Sequence, residues 1–162
     1  MKETIRPFEA RAHQRQVIEL WERVFGYESP HNAPQFVIDK KLAAGDGLFF
    51  VAEAGSKVVG TVMAGYDGHR GWIYSLAVLP EHCRRGIGSR LVRRAEERLK
   101  LLGCPKINLQ ILQENEAVAA FYHKLGYQTE PRISMGKKIP ENITPGRASS
   151  RSQSGRRRQG AW

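Results

Sequence analysis

A short stretch near the middle of the chain combines residue types that suit phosphate binding. Ile73 to Leu79 can form a buried strand, Pro80 ends it, and Gly86 and Gly88 allow a tight turn where a helical run begins. The first amides of a helix lack partners, and the helix dipole adds about half a positive charge there. Three arginines reinforce that field: Arg84, Arg85 and Arg90. The segment is therefore predicted to bind a phosphate group.

Two common phosphate-binding loops do not fit this stretch. A dinucleotide fingerprint needs the pattern G-x-G-x-x-G, and Leu91 stands where its third glycine belongs. A Walker loop needs Gly-Lys followed by Ser or Thr, which the sequence does not contain. A pair of glycines before a helix can also serve turn geometry alone. The loop either binds phosphate in a third way or has a purely structural role.

Two segments of the chain resemble the signatures of the GNAT superfamily of acetyl-CoA-dependent N-acetyltransferases. The family loop reads Q/R-x-x-G-x-G/A, in which Gly86 and Gly88 match the glycines and Cys83 replaces the first residue. The second signature pairs an asparagine with a tyrosine seven residues later and ends its helix at Gly-Phe or Gly-Tyr. Four residues fit it: Asn115, Tyr122, Gly126 and Tyr127. The resemblance extends over about residues 5–138, and residues 60–71 and 103–108 are similar to the small bacterial YpeA-like branch.

This resemblance implies an α/β fold of the GNAT type, with a mixed, mostly antiparallel sheet whose splayed parallel central strands are flanked by helices. It also implies that acetyl-CoA is the cosubstrate. Its pantetheine amides would bond main-chain groups of residues 76–78, where the two parallel strands separate, and its pyrophosphate would bind the loop at residues 84–89. The residues implied to bind it are Leu76, Ala77, Val78, Arg84, Arg85, Gly86, Ile87, Gly88, Ser89 and Asn115. Tyr122 would face the thioester sulfur.

The role implied for Tyr122 agrees with the chemistry of acyl transfer. An amine that attacks the thioester expels a thiolate, whose conjugate acid has a pKa of about 8.5. The phenol of Tyr122 stays protonated at neutral pH and can donate a proton to the leaving sulfur. The alternative is a core tyrosine on an apolar helical face. The matching Asn115 and Gly126 favour the catalytic role.

No general base is equally visible. Where family members use a glutamate, the resemblance places it at Trp72 or Gln110, and neither side chain accepts a proton usefully. Asp67 and His69 are the nearest titratable residues on a loop, but an aspartate before glycine usually serves the turn. Water is therefore expected to relay the proton. An α-amine, with a pKa of about 8, is easier to deprotonate in this way than a lysine of about 10.4.

The sequence thus predicts an N-acetyltransferase that moves an acetyl group to a primary amine, on a small molecule or a protein N-terminus, by direct attack in a ternary complex. Its acceptor pocket would draw on loop residues and four aromatic residues, for which a role in the core is an equal alternative: Trp21, Phe25, Tyr27 and Phe36. A non-catalytic acyl-CoA sensor is the first alternative, because the carboxylates are missing. A nucleic-acid-binding protein is the second, because the net charge is +10, although no recognition-helix or stacking pattern supports it.

Composition limits the organisation of the chain. With 162 residues and 41% hydrophobic content it can bury one core, which predicts one domain over residues 1–140. No apolar run approaches the roughly 20 residues that span a bilayer, and no signal-peptide pattern is present, so a cytoplasmic monomer or homodimer is expected. Cys83 and Cys104 form no CxxC pair or metal-ligand cluster, so no metal is predicted.

The last 22 residues differ in composition from the rest. Residues 141–162 contain five arginines against one acidic residue and almost nothing apolar before Trp162. Such a segment cannot offset the entropy of folding, so it is predicted to be a disordered basic tail. It is expected to bind polyanions weakly, if at all.

Hydrophobic periodicity predicts the elements that must position these residues. The expected order is β-α-α-β-β-β-α-β-α-β-β. The strands are predicted at residues 4–8, 48–53, 57–66, 72–78, 106–111, 127–130 and 134–138. The helices are predicted at residues 12–25, 34–44, 90–102 and 118–125.

Overall fold

A computed structural model describes residues 3–26 and 32–139 of the chain. The described residues form two compact units, one ending at Gln113 and one beginning at Glu114. The first unit contains a sheet and three helices, and the second contains one helix and a segment without regular structure. The predicted basic tail lies outside the described residues.

The observed elements follow the predicted order as far as the last helix. The strands are β1 (Thr4–Pro7), β2 (Phe49–Ala54), β3 (Lys57–Tyr66), β4 (Gly71–Val78) and β5 (Ile107–Asn108). The helices are α1 (Ala10–Phe25), α2 (Pro34–Ala44), α3 (Ile87–Leu101) and α4 (Glu116–Lys124). Within the described ranges, no helix is both long and apolar enough to cross a membrane.

The sheet is mixed and mostly antiparallel, as predicted. Its strands lie in the order β1-β2-β3-β4-β5, and only β4 and β5 run parallel. These two strands pair at Gly71 with Ile107 and at Trp72 with Asn108, and β5 ends there. From Ile73 onwards, β4 therefore has no pairing with β5 on this side. The parallel strands separate as predicted, although β5 is the edge strand rather than a central one among the described residues.

The two predicted closing strands are absent. Residues 126–139 form no strand, and β5 is shorter than the predicted 106–111. The large apolar side chains in and beside the predicted last strand are Ile133, Met135 and Ile139, which are 91%, 91% and 79% exposed. A strand needs a neighbouring backbone to hydrogen-bond with, and alternation of side chains does not supply one. The prediction of strands at 127–130 and 134–138 was wrong for this reason.

Helix α3 covers one face of the sheet through an apolar stripe, which matches the predicted one except that Ile87 belongs to it and the predicted Leu102 is 49% exposed. Its side chains Ile87, Leu91, Val92, Ala95 and Leu99 are at most 1% exposed. Beneath them, a Cβ on Gly60 would lie 3.0 Å from Leu91 Cδ1 and 3.1 Å from the Ala77 carbonyl oxygen. The glycine in β3 therefore lets the start of α3 lie close to β4.

Helices α1 and α2 lie on the opposite face. Thr61 follows Gly60 in β3, so its side chain points away from α3, and it meets Trp21 of α1. Helix α2 buries Ile38 and Lys41. The Lys41 ammonium donates to Ala64 O and forms an ion pair with Asp46 Oδ2 at 2.6 Å. This pair fixes the end of α2 against the sheet.

Candidate functional site

The predicted phosphate loop connects β4 to α3. A 3₁₀ turn at Pro80–His82 follows the strand, and α3 begins at Ile87. Between them, Arg84 and Gly86 have φ angles of 61° and 75°, in the left-handed region. Glycine adopts this conformation at no steric cost, whereas an arginine there is uncommon. The loop therefore holds a reversed backbone course directly before the helix.

The amides of this loop are available to a ligand. The first hydrogen bond of α3 runs from the Arg90 amide to Gly86 O, at 3.1 Å. In the described part of the chain, the amides of residues 84–89 donate to no backbone oxygen. A Cβ built on Gly86 would have no atom within 4 Å, so the space in front of the loop is open. Free amides at a helix start that face open space suit a phosphate group.

The charge at the loop differs from the sequence-based expectation. The Glu3 carboxylate, on the residue before β1, lies 2.9 Å from Arg85 and 2.7 Å from Arg90. Its own backbone amide and the Arg90 guanidinium hold the pKa of Glu3 below the usual value. One carboxylate thus offsets part of the positive charge of the two arginines. Among the three arginines, Arg84 alone has no ion pair with a described residue.

A bulge interrupts β4 on the strand leading to this loop. Thr61 pairs with Ala77 but Met63 pairs with Tyr74, so β4 has one residue more than β3 in this interval. Ser75 takes up the difference with a φ of 51°, and its carbonyl accepts a hydrogen bond from Thr61 Oγ1 at 3.0 Å. A bulge with one left-handed residue changes the direction of the strand.

A buried tryptophan completes this network. Trp21 Nε1 donates to Thr61 Oγ1 at 2.8 Å, and both residues are at most 1% exposed. The hydroxyl of Thr61 therefore accepts from α1 and donates to the bulge of β4. Of the two roles left open for Trp21, the structure therefore selects the core, because an indole enclosed there cannot contact a substrate.

The end of β4 exposes backbone groups at an edge that no strand of the described residues covers, and Cys83 Sγ approaches one of them, Val78 O, at 3.7 Å. The Leu79 amide donates to Val59 O at 2.9 Å, so the groups of Leu79 face β3. Since successive residues of a strand alternate, those of Val78 face the other edge, which β5 leaves unpaired. Leu76 and Val78 are partly exposed, whereas the side chain of Ala77 is buried. This edge can hydrogen-bond an extended ligand chain with amide groups.

The surface aromatics partly match the expected acceptor residues. Phe25 and Phe36 are 44% and 37% exposed, and Tyr27 lies outside the described residues. Sequence reasoning missed a second pair, Trp72 and Tyr74, which are 38% and 40% exposed. Gly71, which contacts Leu99 of α3, and Ile73 are buried on the α3 side of the sheet. Since side chains alternate along a strand, Trp72 and Tyr74 lie on the opposite face of β4.

Asp67 serves the turn between β3 and β4. Its Oδ1 accepts from the amides of His69 and Arg70 at 2.8 and 2.6 Å, and its Oδ2 accepts from Trp72 Nε1 at 3.3 Å. The backbone hydrogen bonds from Arg70 and His69 hold the pKa of Asp67 below the usual value. A carboxylate stabilised in this way is a weak general base.

The second unit carries the other two predicted site residues. Asn115 begins α4 as its N-cap, with Oδ1 accepting from the Val118 amide at 3.3 Å. Tyr122 is 6% exposed, and its ring meets Phe121 and Tyr127 edge-on at centroid distances of 5.0 and 5.4 Å. Burial raises the pKa of Tyr122 well above its ordinary value. Its phenol is therefore a hydrogen-bond or proton donor, not a base, at physiological pH.

The structure also bears on which kinds of site are present. In the described residues, no group of three or more His, Cys, Asp or Glu side chains lies close enough to hold a metal ion. The loop, the bulge and the open edge of β4 belong to the first unit, and Asn115 and Tyr122 to the second. Sequence reasoning missed Glu3 and Thr61, because neither belongs to a recognisable motif.

Comparisons with known proteins agree with this arrangement. Residues 10–127 match the family described as the acetyltransferase (GNAT) family. An acetyltransferase of Pectobacterium atrosepticum is 45% identical over 126 residues, which cover 78% of this chain and 89% of that protein.

Solved structures share the fold at lower identity. The PaiA N-acetyltransferase of Thermoplasma acidophilum in complex with coenzyme A has a TM-score of 0.70 at 21% identity, covering 82% of this chain and 94% of that one. The glucosamine-6-phosphate N-acetyltransferase of Arabidopsis thaliana has a TM-score of 0.65 at 23% identity, covering 86% of this chain and 100% of that one.

Proposed function

The chain belongs to the GNAT acetyltransferase family, and we propose that it transfers the acetyl group of acetyl-CoA to a primary amine. The observation that carries this proposal is the cluster of free amides at residues 84–89, next to the open edge of β4. A cofactor with a pyrophosphate and a chain of amides needs both kinds of contact.

We assign the cofactor contacts as follows. The amides of Gly86, Ile87, Gly88 and Ser89 bind the pyrophosphate at the start of α3, with Arg84 as the nearest unpaired cation and Arg85 beside it. The main-chain groups of Leu76 and Val78 bond the pantetheine amides at the open edge, whereas those of Ala77, which pairs with Thr61, face β3. The family resemblance adds Asn115 at the cofactor arm, although its carbonyl oxygen caps α4.

The reaction is proposed as a direct attack in a ternary complex. The neutral amine attacks the thioester carbonyl, the carbon–sulfur bond breaks, and the sulfur leaves as a thiolate that takes a proton. Tyr122 is the proposed donor, because burial keeps its phenol protonated. Water removes the amine proton, since Trp72 carries no acid–base group and the hydrogen bonds of its turn lower the pKa of Asp67, which makes its carboxylate a weak base.

With water as the base, amines of low pKa are favoured as acceptors. An amine with a pKa of about 8 is about one-tenth neutral at pH 7, whereas a lysine at about 10.4 is less than a thousandth neutral. We therefore propose a small α-amine or a protein N-terminus. Relatives named for a sugar phosphate and for PaiA do not select between these. A catalytic domain over residues 1–140, a cytoplasmic location and membership of the YpeA-like branch remain predictions.

A matched pair of glycine variants tests the cofactor site. Gly86 and Gly55 both have left-handed φ angles, of 75° and 65°, and neither has an atom within 4 Å of a built Cβ. Gly86→Val and Gly55→Val should therefore carry similar backbone strain, about 1–2 kcal/mol each. Only Gly86→Val adds methyl groups on the loop that carries the free amides. Calorimetry should give micromolar-range binding of acetyl-CoA to the wild type and to Gly55→Val, with at least a tenfold loss in Gly86→Val.

Two results would contradict the proposal. Absence of acetyl-CoA binding to the wild type at 1 mM would reject the cofactor, and equal binding by both variants would make the loop structural. Thiol release with a panel of α-amines, protein N-terminal peptides and lysine peptides then tests turnover. Binding without turnover would favour the acyl-CoA sensor, which the missing carboxylate at Trp72 supports as a second candidate.

A further inference from the structure

We propose that the carboxylate of Glu3 is an internal counter-ion which holds Arg85 away from the cofactor phosphates and thereby sets the affinity for the cofactor. This inference rests on the proposed function, because it assumes that the loop binds the phosphates of acetyl-CoA. It assigns a role to a residue outside every motif of the sequence.

The first observation is the location of the carboxylate. The side chain of Glu3 is only 6% exposed, and each of its oxygens lies beside a different arginine of the loop and helix start. An anion thus already lies against Arg85, on the same loop whose amides are open to a ligand. A phosphate is the other kind of anion with which an arginine forms strong, charge-assisted hydrogen bonds.

The two arginines are held very differently. Arg90 NH2 donates to Glu3 Oε2 at 2.7 Å, and Arg90 NH1 donates to Glu3 O at 3.0 Å. Arg85 NH2 lies 2.9 Å from Glu3 Oε1, but that oxygen accepts no hydrogen bond, and the other contact of this guanidinium is between Arg85 NH1 and His82 Nδ1, at 3.2 Å on the same loop. The side chain of Arg85 is also 49% exposed, against 30% for Arg90. Arg90 is therefore the fixed partner, and Arg85 is the one that can leave.

The consequence follows from charge. When a phosphate binds at the loop, Arg85 can contact it only by giving up part of its attraction to Glu3. The contact therefore contributes less to affinity than it would with a free guanidinium. The ionised Glu3 also repels the phosphates at short range, where screening by salt is incomplete. Both effects weaken the binding of the cofactor in the wild-type protein.

The test measures coenzyme A affinity after the charge of Glu3 is removed. Glu3→Gln should lower the Kd for coenzyme A by about 3- to 10-fold in calorimetry, and the Kd should rise more steeply with salt than in the wild type. Glu81→Gln is the matched control. It also removes one negative charge, but from a carboxylate that pairs with Arg23 at 2.8 Å instead of a loop arginine. Its Kd should stay within twofold of the wild-type value.

A double-mutant cycle identifies Arg85 as the released group. Arg85→Ala alone should raise the Kd by less than about threefold, because Glu3 already occupies this arginine. In the Glu3→Gln background, the same substitution should cancel most of the gain. Arg85 is an exposed loop residue, so the Kd of the Arg85→Ala single variant can be measured even if Glu3→Gln destabilises the protein.

Three outcomes would overturn the inference. A higher Kd in a folded Glu3→Gln variant would mean that Glu3 positions the arginines for the cofactor. A gain that survives removal of Arg85 would mean a general field effect. A tenfold or greater loss in Arg85→Ala alone would mean that Arg85 is already free to bind. If the wild type binds no coenzyme A, the proposed function fails first, and the two failures are distinguished by that measurement.

Discussion

Replacing Thr61 with valine should expose how much the bulge of β4 depends on one hydroxyl. The side chains are nearly the same size, so Thr61→Val opens no cavity at a position that is fully buried. It does remove the acceptor of Trp21 Nε1 and the donor to Ser75 O, at 2.8 and 3.0 Å. Each buried polar group left unpaired costs about 1–3 kcal/mol. The free energy of unfolding should therefore fall by about 2–5 kcal/mol, with a small gain from the added methyl group.

Urea unfolding followed by tryptophan fluorescence measures this change. Thr61→Ser is the control, because it keeps both hydrogen bonds and loses one buried methyl group, at a cost of about 1 kcal/mol. The folded fraction of Thr61→Val should also bind acetyl-CoA several-fold more weakly, since the carbonyl that fixes the bulge before Leu76 is released. Equal stability of Thr61→Val and the wild type, or equal damage from serine and valine, would refute the reasoning.

Three further outcomes are expected. Tyr122→Phe should bind acetyl-CoA normally and lose about 10²- to 10⁴-fold in turnover, and full activity of this variant would return Tyr122 to a core role. Because burial raises the pKa of Tyr122, the wild type should show no loss of activity from phenol ionisation up to about pH 9. Asp67→Asn should keep activity within about threefold. Because the pKa of Asp67 is lowered in the folded protein, its carboxylate stabilises the fold above about pH 4, and this stabilisation disappears as the pH falls through the folded-state pKa. The variant should lack this loss of stability in acid unfolding. Deletion of residues 141–162 should leave the Kd for acetyl-CoA unchanged and reduce retention on RNA at low salt, and equal retention would remove the tail from polyanion binding.

Much of the fold was predictable because local pattern and final contact coincide. Strand β3 was predicted with its observed bounds, since its apolar run is bounded by turn residues on both sides. The stripe of α3 was equally clear. The prediction of the two closing strands was wrong because pairing depends on two segments, and the residue pattern at 127–138 describes only one of them.

The candidate site divides in the same way. The turn at Gly86 could be predicted because glycine composition reports directly on backbone conformation. The pairing of Glu3 with Arg90 could not, because 87 residues separate them and neither position has a periodic signal. The role of Trp21 stayed open, since an aromatic residue on an amphipathic helix can serve a pocket or the core, and only its burial and its contact with Thr61 decide between them.

The order of the strands has a consequence for how such an enzyme can change. Each strand of the sheet lies beside its neighbour in the chain. The open edge, the phosphate loop and the helix above it therefore come from one uninterrupted stretch, from Gly71 to Asn108. The exposed aromatics Phe25 and Phe36 come from α1 and α2, which precede that stretch. Substitutions at these exposed positions leave the Trp21–Thr61 contact in place. Under the proposed function, the acceptor could therefore change there while the cofactor contacts stay the same.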